Sequence, residues 1–149
     1  MSVMNNKVVE LNTIDMRVLE GYIKNVEKLR MRLKVRRLEL LDKPIIENPG
    51  SGKSNIPSNP IERETLTCLD DDYYLNLDKI IRGVEHVYNN ADDDVKEIMK
   101  LKYWEPKLGL ETWEQLAEEK HYSKTSILRV RERYLRDFAN EIDFVNSDF

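Results

Sequence analysis

The chain has 149 residues, of which 35% are charged and 40% hydrophobic, and its formal net charge at pH 7 is -4. No apolar run approaches the ~20 residues that a membrane-spanning helix requires, so no membrane association is expected. The single cysteine, Cys68, excludes an intramolecular disulfide and supplies no set of metal ligands. Because the N-terminal residues lack the basic and then apolar pattern of a secretion signal, the sequence predicts a cytoplasmic protein.

The charges are unevenly distributed along the chain. Residues 1–59 carry 11 Lys and Arg against 7 Asp and Glu, a net charge of +4, whereas residues 60–149 carry 13 against 21, a net charge of -8. The basic residues concentrate in two short stretches, Lys28–Arg37 and Lys124–Arg136. An acidic protein does not coat nucleic acid indiscriminately, so an anionic partner is expected at these stretches.

The first predicted element is one amphipathic helix from Thr13 to about Leu40, with Asn12 or Thr13 as its N-cap. Its apolar residues recur at steps of three and four over about three heptads, the lower limit for a coiled coil. The helix is therefore expected either to pair with a second copy of the chain or to pack on the rest of the protein. Its basic stretch is interpreted as a solvated face or as a secondary phosphate contact. The apolar positions are Leu19, Tyr22, Val26, Leu29, Leu33 and Leu40.

Residues 44–60 are expected to form a linker, because they contain four of the five prolines together with Gly and Ser. Within them, NPGSGKSN at 48–55 is similar to part of a phosphate-binding P-loop. The position five residues before Gly52 is Glu47 rather than glycine, and Pro57 and Pro60 oppose the helix that a P-loop requires. The linker interpretation is therefore favoured.

Three short helices are expected before residue 105. Two acidic triplets, Asp70–Asp72 and Asp92–Asp94, precede the second and third of them. Neither triplet has the alternating carboxylates, the glycine and the closing glutamate of a calcium loop, so both are expected to cap helices. The three helices are predicted at Ile61 to about Leu69, from Tyr73 or Asp78 to Tyr88, and from Val95 to Trp104.

The segment 112–137, TWEQLAEEKHYSKTSILRVRERYLRD, predicts two helices joined by a very tight turn. Thr112 and Gln115 form a capping box for the first helix, which runs through Lys120, and Ser123 caps the second, which runs through about Ala139. The turn, which His121 begins, forces the helices to cross steeply, and Ala117 lies where their backbones approach. The residues expected to pack the two helices together are Leu116, Tyr122, Ile127 and Val130.

The second of these helices presents a basic outer face. The stretch Lys124–Arg136 contains five basic residues and one acidic residue. Such a face on the second helix of a helix-turn-helix enters the DNA major groove, whereas a hairpin used only for packing is the alternative. His121 stands where a left-handed glycine is usual, and it is interpreted as a turn residue rather than a catalytic one. The outer residues are Lys124, Thr125, Leu128, Arg129, Glu132, Arg133 and Arg136.

Residues 101–139, LKYWEPKLGLETWEQLAEEKHYSKTSILRVRERYLRDFA, resemble region 4 of bacterial sigma factors. Leu101, Lys102 and Tyr103 stand where a leucine-arginine-tyrosine segment precedes the helix-turn-helix of that family, and residues 105–110 make a slightly longer connection. The closing residues 134–139, with Ser58 and Asn59 at the end of the linker and Glu62 just after it, are similar to phage late-gene regulators of the ArpU and RinA type. Those regulators also have an N-terminal helical segment.

The resemblance implies a transcription activator of phage late operons, those for packaging, morphogenesis and lysis, in the cytoplasm of a bacterial host. Its partners would be double-stranded promoter or operator DNA and bacterial RNA polymerase. By position, the residues that face bases would be Lys124, Thr125, Leu128, Arg129 and Glu132, and those that contact the DNA backbone would be Ser123, Arg133 and Arg136. Arg129 is the natural reader of a guanine edge.

The sequence thus predicts an all-α protein with three parts. These are an N-terminal helical segment for self-association or partner binding at 1–43, the linker at 44–60, and a helix-turn-helix domain at 61–149. A packaging adaptor resembling a small terminase subunit, or a protein-binding module built on the same scaffold, are the alternatives to a DNA-binding activator. No enzyme and no cofactor are expected, because the sequence contains no nucleophile with its base and no metal-ligand set.

Overall fold

The structure, a computed structural model, describes residues 10–42 and 60–146. Every regular element in these ranges is helical, which confirms the predicted all-α class. Most of the predicted linker and the whole NPGSGKSN segment lie outside the described residues. The elements are α1 (Thr13–Lys24), α2 (Val26–Leu41), α3 (Pro60–Leu69), α4 (Asp72–Asn89), α5 (Asp93–Met99), a π-helical turn (Lys100–Trp104), α6 (Trp113–Glu119) and α7 (Lys124–Glu141).

The predicted N-terminal helix is interrupted at Asn25. α1 begins at the predicted N-cap Asn12, whose side chain accepts a hydrogen bond from the Asp15 backbone at 2.8 Å. At its other end, the backbone N–H and the side-chain amide of Asn25 donate to the Gly21 carbonyl at 3.0 and 2.8 Å. A side chain that bonds to the backbone in this way competes with the continuing helix. The single helix expected from Thr13 to Leu40 is therefore wrong at this residue.

The two acidic triplets differ in whether their side chains cap the helix that follows. The Asp71 carboxylate accepts a hydrogen bond from the Tyr74 backbone at 2.8 Å and so caps α4 as expected. Asp92 holds the N-cap position of α5, but its side chain makes no capping hydrogen bond, so this part of the expectation is wrong. The Asp94 carboxylate instead accepts a hydrogen bond from the Tyr122 hydroxyl. The second triplet therefore acts on α5 through its negative charge near the helix N-terminus.

The helix predicted from Val95 to Trp104 changes its winding at Lys100. The Glu105 N–H donates to the Lys100 carbonyl at 2.8 Å, the five-residue step of a π-helical turn. This wider turn buries Leu101 and Tyr103. The indole N–H of the next residue, Trp104, donates to the Ile23 carbonyl of α1 at 2.8 Å.

The described chain divides into two compact units, one formed by residues 10–26 and 80–146 and the other by residues 27–42 and 60–79. These units do not follow the predicted boundaries at residues 43 and 60. The reason is that α1 is tied to the C-terminal helices by contacts between residues 83 and 111 positions apart. Helix α1 therefore belongs to the same unit as α6 and α7, whereas all but the first residue of α2 belongs to the other unit.

A polar cluster around Glu20 joins three elements of the first unit. Its carboxylate accepts hydrogen bonds from the Tyr103 hydroxyl at 2.6 Å and from two guanidinium nitrogens of Arg131 at 2.6 and 3.1 Å. Burial and the adjacent carboxylate raise the pKa of Tyr103. Among the described residues, the large apolar side chains with no exposed surface are Leu19, Ile23, Ile98, Met99, Leu116, Ile127, Leu135 and Phe138.

Ion pairs join α2 to α3 and to the residue before α4 within the second unit. The Arg36 guanidinium binds both carboxylate oxygens of Asp71 at 2.6 and 3.0 Å and lies over the ring of Tyr73 at 5.7 Å. Arg37 pairs with Glu64 of α3. Two residues of the predicted basic stretch are therefore structural contacts within this unit.

Candidate nucleic-acid interface

The predicted capping box at the start of α6 is confirmed. The Thr112 hydroxyl accepts a hydrogen bond from the Gln115 backbone at 3.1 Å, and the Gln115 side chain accepts one from the Thr112 backbone at 3.0 Å. These two bonds fix where α6 begins, since each satisfies an N–H group that the helix itself leaves without a partner.

The connection between α6 and α7 is a Schellman turn. Its residue His121 has a φ of 59°, so the predicted left-handed conformation is confirmed. The Tyr122 N–H donates to the Ala117 carbonyl at 2.7 Å, and the His121 N–H donates to the Glu118 carbonyl at 3.3 Å. These are the two bonds that define this motif, in which glycine usually takes the left-handed place. The turn therefore ends α6 abruptly and allows α7 to begin three residues later.

The start of α7 is fixed by the predicted N-cap. The Ser123 hydroxyl oxygen accepts a hydrogen bond from the Ser126 backbone at 3.0 Å. Of the residues predicted to pack the two helices together, Leu116 and Ile127 are fully buried, whereas Tyr122 and Val130 are half-buried. The hydrogen bond of Tyr122 to Asp94 raises the pKa of its hydroxyl and links the turn to α5.

All eight predicted DNA-contacting residues lie on α7 or at its N-cap. Most of the exposed ones lie in its N-terminal half, because the C-terminal half of α7 turns Tyr134, Leu135 and Phe138 into the core. The N-terminal half therefore offers the most open surface. The exposed residues are Ser123, Lys124, Thr125, Arg129 and Arg133, and the half-buried ones are Leu128, Glu132 and Arg136.

Arg131, the one basic residue of this stretch that is not predicted to contact DNA, points inward. Besides its hydrogen bonds to Glu20, its guanidinium lies over the ring of Trp113 at 5.7 Å. The hydrogen bond to Glu20 is the largest cause of a raised pKa for Arg131. A count of basic residues in the sequence therefore overstates the positive charge that α7 presents to solvent by one.

Two ion pairs that the sequence analysis missed lie on the outer face of α7. Lys124 contacts Glu114 of α6 at 2.6 Å, and Arg136 contacts Glu132 one helical turn earlier at 2.8 Å. The hydrogen bond from Lys124 also lowers the pKa of Glu114. Pairs on an exposed surface contribute little free energy, so a phosphate can replace either carboxylate at small cost. The pair of Arg136 with Glu132 has the four-residue spacing that a sequence can reveal.

Three arginines of α7 line one open depression of about 380 Å³, and Val130 and Glu132 complete its wall. The Nε atom of Arg136 is buried there and has no hydrogen-bond partner among the described residues. Guanidinium groups that converge in this way suit phosphate oxygens, which accept two parallel N–H bonds. The arginines are Arg129, Arg133 and Arg136.

A second depression of about 370 Å³ lies between α7 and the end of α4, and Arg133 lines both. It is lined by Asp137, whose pKa burial raises, and by Tyr134, whose buried hydroxyl has no partner in the described part of the chain. Within the described ranges, no group of three or more His, Cys, Asp or Glu side chains is placed to hold a metal ion. None of the described helices is long and apolar enough to cross a membrane.

A family model described as a protein of unknown function, DUF722, matches residues 12–140. The match spans both the α1–α2 region and the α6–α7 pair. The chain matches no curated protein and no solved structure.

Proposed function

We propose that this chain, which belongs to the DUF722 family, is a sequence-specific DNA-binding transcription activator. In this proposal α6 and α7 form a helix-turn-helix, and α7 enters the major groove. The observation that carries the proposal is the outer face of α7, where Lys124, Thr125 and Arg129 lie exposed directly after a Schellman turn. The resemblance of this segment to sigma factor region 4 and to phage late-gene regulators supports the assignment to transcription, in a bacterial cytoplasm.

The residues divide by the part of DNA that each suits. Arg129, exposed on the second turn of α7, would read a guanine through two hydrogen bonds, which discriminates between bases by ~1–3 kcal/mol. Ser123 at the helix N-terminus, Arg133 and Arg136 suit phosphates. The remaining predicted base contacts are Lys124, Thr125, Leu128 and Glu132.

The electrostatics favour specific over indiscriminate binding. The chain as a whole carries a net charge of -4, so DNA is attracted only locally, to the outer face of α7. If Arg133 and Arg136 each neutralise one phosphate, the logarithm of the binding constant should fall with the logarithm of salt concentration with a slope of about -2 per subunit. A much steeper slope would indicate a larger basic surface than α7 provides.

The test is the selection of bound duplexes from a fragment library of the source genome at physiological salt. Wild type is compared with Lys124→Ala/Arg129→Ala and with the control Arg17→Ala/Lys107→Ala, which removes the same charge from exposed positions outside α7. We expect wild type and control to recover the same few sites and the α7 variant to lose them. Recovery of no fragments, or of all fragments equally, would refute the proposal.

Single substitutions separate the two kinds of contact. Arg129→Ala should relax the preference at one base pair, whereas Arg136→Ala should weaken binding to all sequences by a similar factor and make the salt slope shallower by about 1. Equal losses on every sequence for both variants would mean that α7 reads no bases. The packaging-adaptor alternative predicts a ring of many subunits, which a mass measurement in solution detects.

A further inference from the structure

Helix α2 carries apolar residues on two opposite faces. On one face, Leu29 and Leu40 are buried in the monomer, as are Leu19 and Val26 of the stripe predicted for self-association. On the other face, three large side chains remain exposed, with 61% of Met31, 51% of Val35 and 61% of Leu38 accessible to solvent. The stripe predicted to pair with a second copy is thus largely used within the chain, and a different stripe on α2 is open.

Exposed large hydrophobic side chains are concentrated in the second unit. Of the thirteen exposed large hydrophobic residues among those that the structure describes, nine belong to residues 27–79. Scattered single residues of this kind are ordinary, but a concentration of them marks an interaction surface. The nine are Met31, Val35, Leu38, Leu41, Ile61, Leu66, Leu69, Tyr73 and Leu75.

The exposed stripe of α2 has heptad spacing. Met31, Val35 and Leu38 alternate steps of four and three, and Lys28 and Asp42 continue the same stripe at its two ends. In heptad notation Val35 is an a position, and Met31 and Leu38 are d positions. A β-branched residue at a with leucine at d favours two-stranded parallel pairing. We propose that α2 packs in parallel against α2 of a second copy of this chain, with coiled-coil spacing over less than two heptads.

The charged residues beside the stripe support pairing with a second copy of the chain and a parallel arrangement of the two helices. In a parallel pair, each g position lies near the e position five residues later on the partner. This brings Glu27 near the partner's Arg32 and Lys34 near the partner's Glu39, so both contacts are attractive. An antiparallel pair with its apolar residues matched would also join Arg32 to Glu39 but would bring Lys34 near the partner's Lys34.

The seam is short, and the association is correspondingly weak. Three apolar residues per helix cover far less than the ~800 Å² per partner of a standard interface. Lys28 and Asp42 end the apolar seam on either side, and Glu27 already contacts Arg30 of its own helix. The chain therefore exists in a concentration-dependent equilibrium between monomer and dimer.

Sedimentation equilibrium of the full chain without DNA, over a wide concentration range, tests the seam. Val35→Glu places a charge at its centre and should weaken the dimer by more than tenfold. The control Ile14→Glu changes a residue that is 63% exposed on α1, and it should leave the dimer unchanged. Circular dichroism of both variants checks that their helix content is that of wild type. A wild type that is monomeric at every concentration, or equal effects of the two variants, would overturn the proposal.

Charge reversal tests the direction of pairing. Lys34→Glu and Glu39→Lys each turn two attractive contacts of the dimer into repulsive ones, so each variant alone should dimerise about tenfold more weakly. An equal mixture of the two variants restores both contacts and should form a heterodimer at least as stable as wild type. An antiparallel pair predicts instead that Lys34→Glu alone dimerises as tightly as wild type, because one like-charge contact at position 34 then replaces another. Failure of the mixture to recover would overturn the parallel arrangement.

Discussion

The contact between Glu20 and Arg131 is expected to dominate the attachment of α1 to the rest of its unit. The Glu20 side chain is 18% exposed and the Arg131 side chain 25%, so the pair is mostly but not fully shielded from water. Removing one partner of a fully buried pair costs about 3–5 kcal/mol, because the other charge is left buried and unpaired. With this residual exposure, we expect Arg131→Met to reduce the free energy of unfolding by about 2–3 kcal/mol.

Two further contacts affect the loss of unfolding free energy expected for Arg131→Met. The stacking of Arg131 on Trp113 is lost in the same variant and adds about 0.5–1 kcal/mol. The Tyr103 hydroxyl remains hydrogen-bonded to Glu20, which limits the loss. The expected fall in melting temperature is roughly 6–15 °C for a domain of this size.

The assay is urea unfolding of Arg131→Met, Glu20→Gln and the double variant, followed by circular dichroism. The losses of the two single variants should add up to at least about 1 kcal/mol more than the loss of the double variant, because the two side chains interact. Glu114→Gln, which removes the exposed pair with Lys124, is the matched control and should leave the free energy of unfolding nearly unchanged. Losses that are small and simply additive for Glu20 and Arg131 would refute the reasoning.

Three other predictions concern stability and can be checked by thermal unfolding. His121→Gly should stabilise the protein by up to about 1 kcal/mol, because glycine takes a positive φ without strain, and His121→Val should destabilise it. Gly21→Ala should stabilise α1 by about 1 kcal/mol because nothing lies near its new methyl group, whereas Gly83→Ala should destabilise α4 because its methyl group would clash with Ile142. Partial burial raises the pKa of Asp137 by more than the nearby Arg133 and Arg136 lower it, so its ionised form opposes folding at neutral pH. Asp137→Asn should therefore raise the melting temperature at pH 7. This gain should disappear on acidification through the titration range of the carboxyl group. A gain that does not depend on pH would contradict the argument.

Local signals in the sequence are sufficient to predict the helix ends around the candidate interface. The capping residues Asn12, Thr112 and Ser123, and the left-handed conformation of His121, follow from chemistry within four residues of each position. For that reason the α6–α7 turn and all its caps were predicted correctly.

Contacts between distant residues could not be predicted in this way. Arg131 is one of several arginines in a basic stretch, and only its hydrogen bonds to Glu20, 111 residues away, distinguish it from its exposed neighbours. Likewise, α2 has apolar residues at heptad spacing on two faces, and the pattern alone does not tell which face the monomer buries. The change to a π-helical turn at Lys100 also has no local signal that we recognise.

The pairing of Glu20 with Arg131 also sets the order in which the protein can assemble during synthesis. Residues 27–79 leave the ribosome before Arg131 is made, and at about 5–20 residues per second the interval from Lys79 to Arg131 lasts roughly 3–10 s. Through that interval α1 has been translated but lacks its partners on α7, whereas every residue of the second unit is present. The apolar stripe of α2 is therefore available to neighbouring nascent chains before α6 and α7 exist.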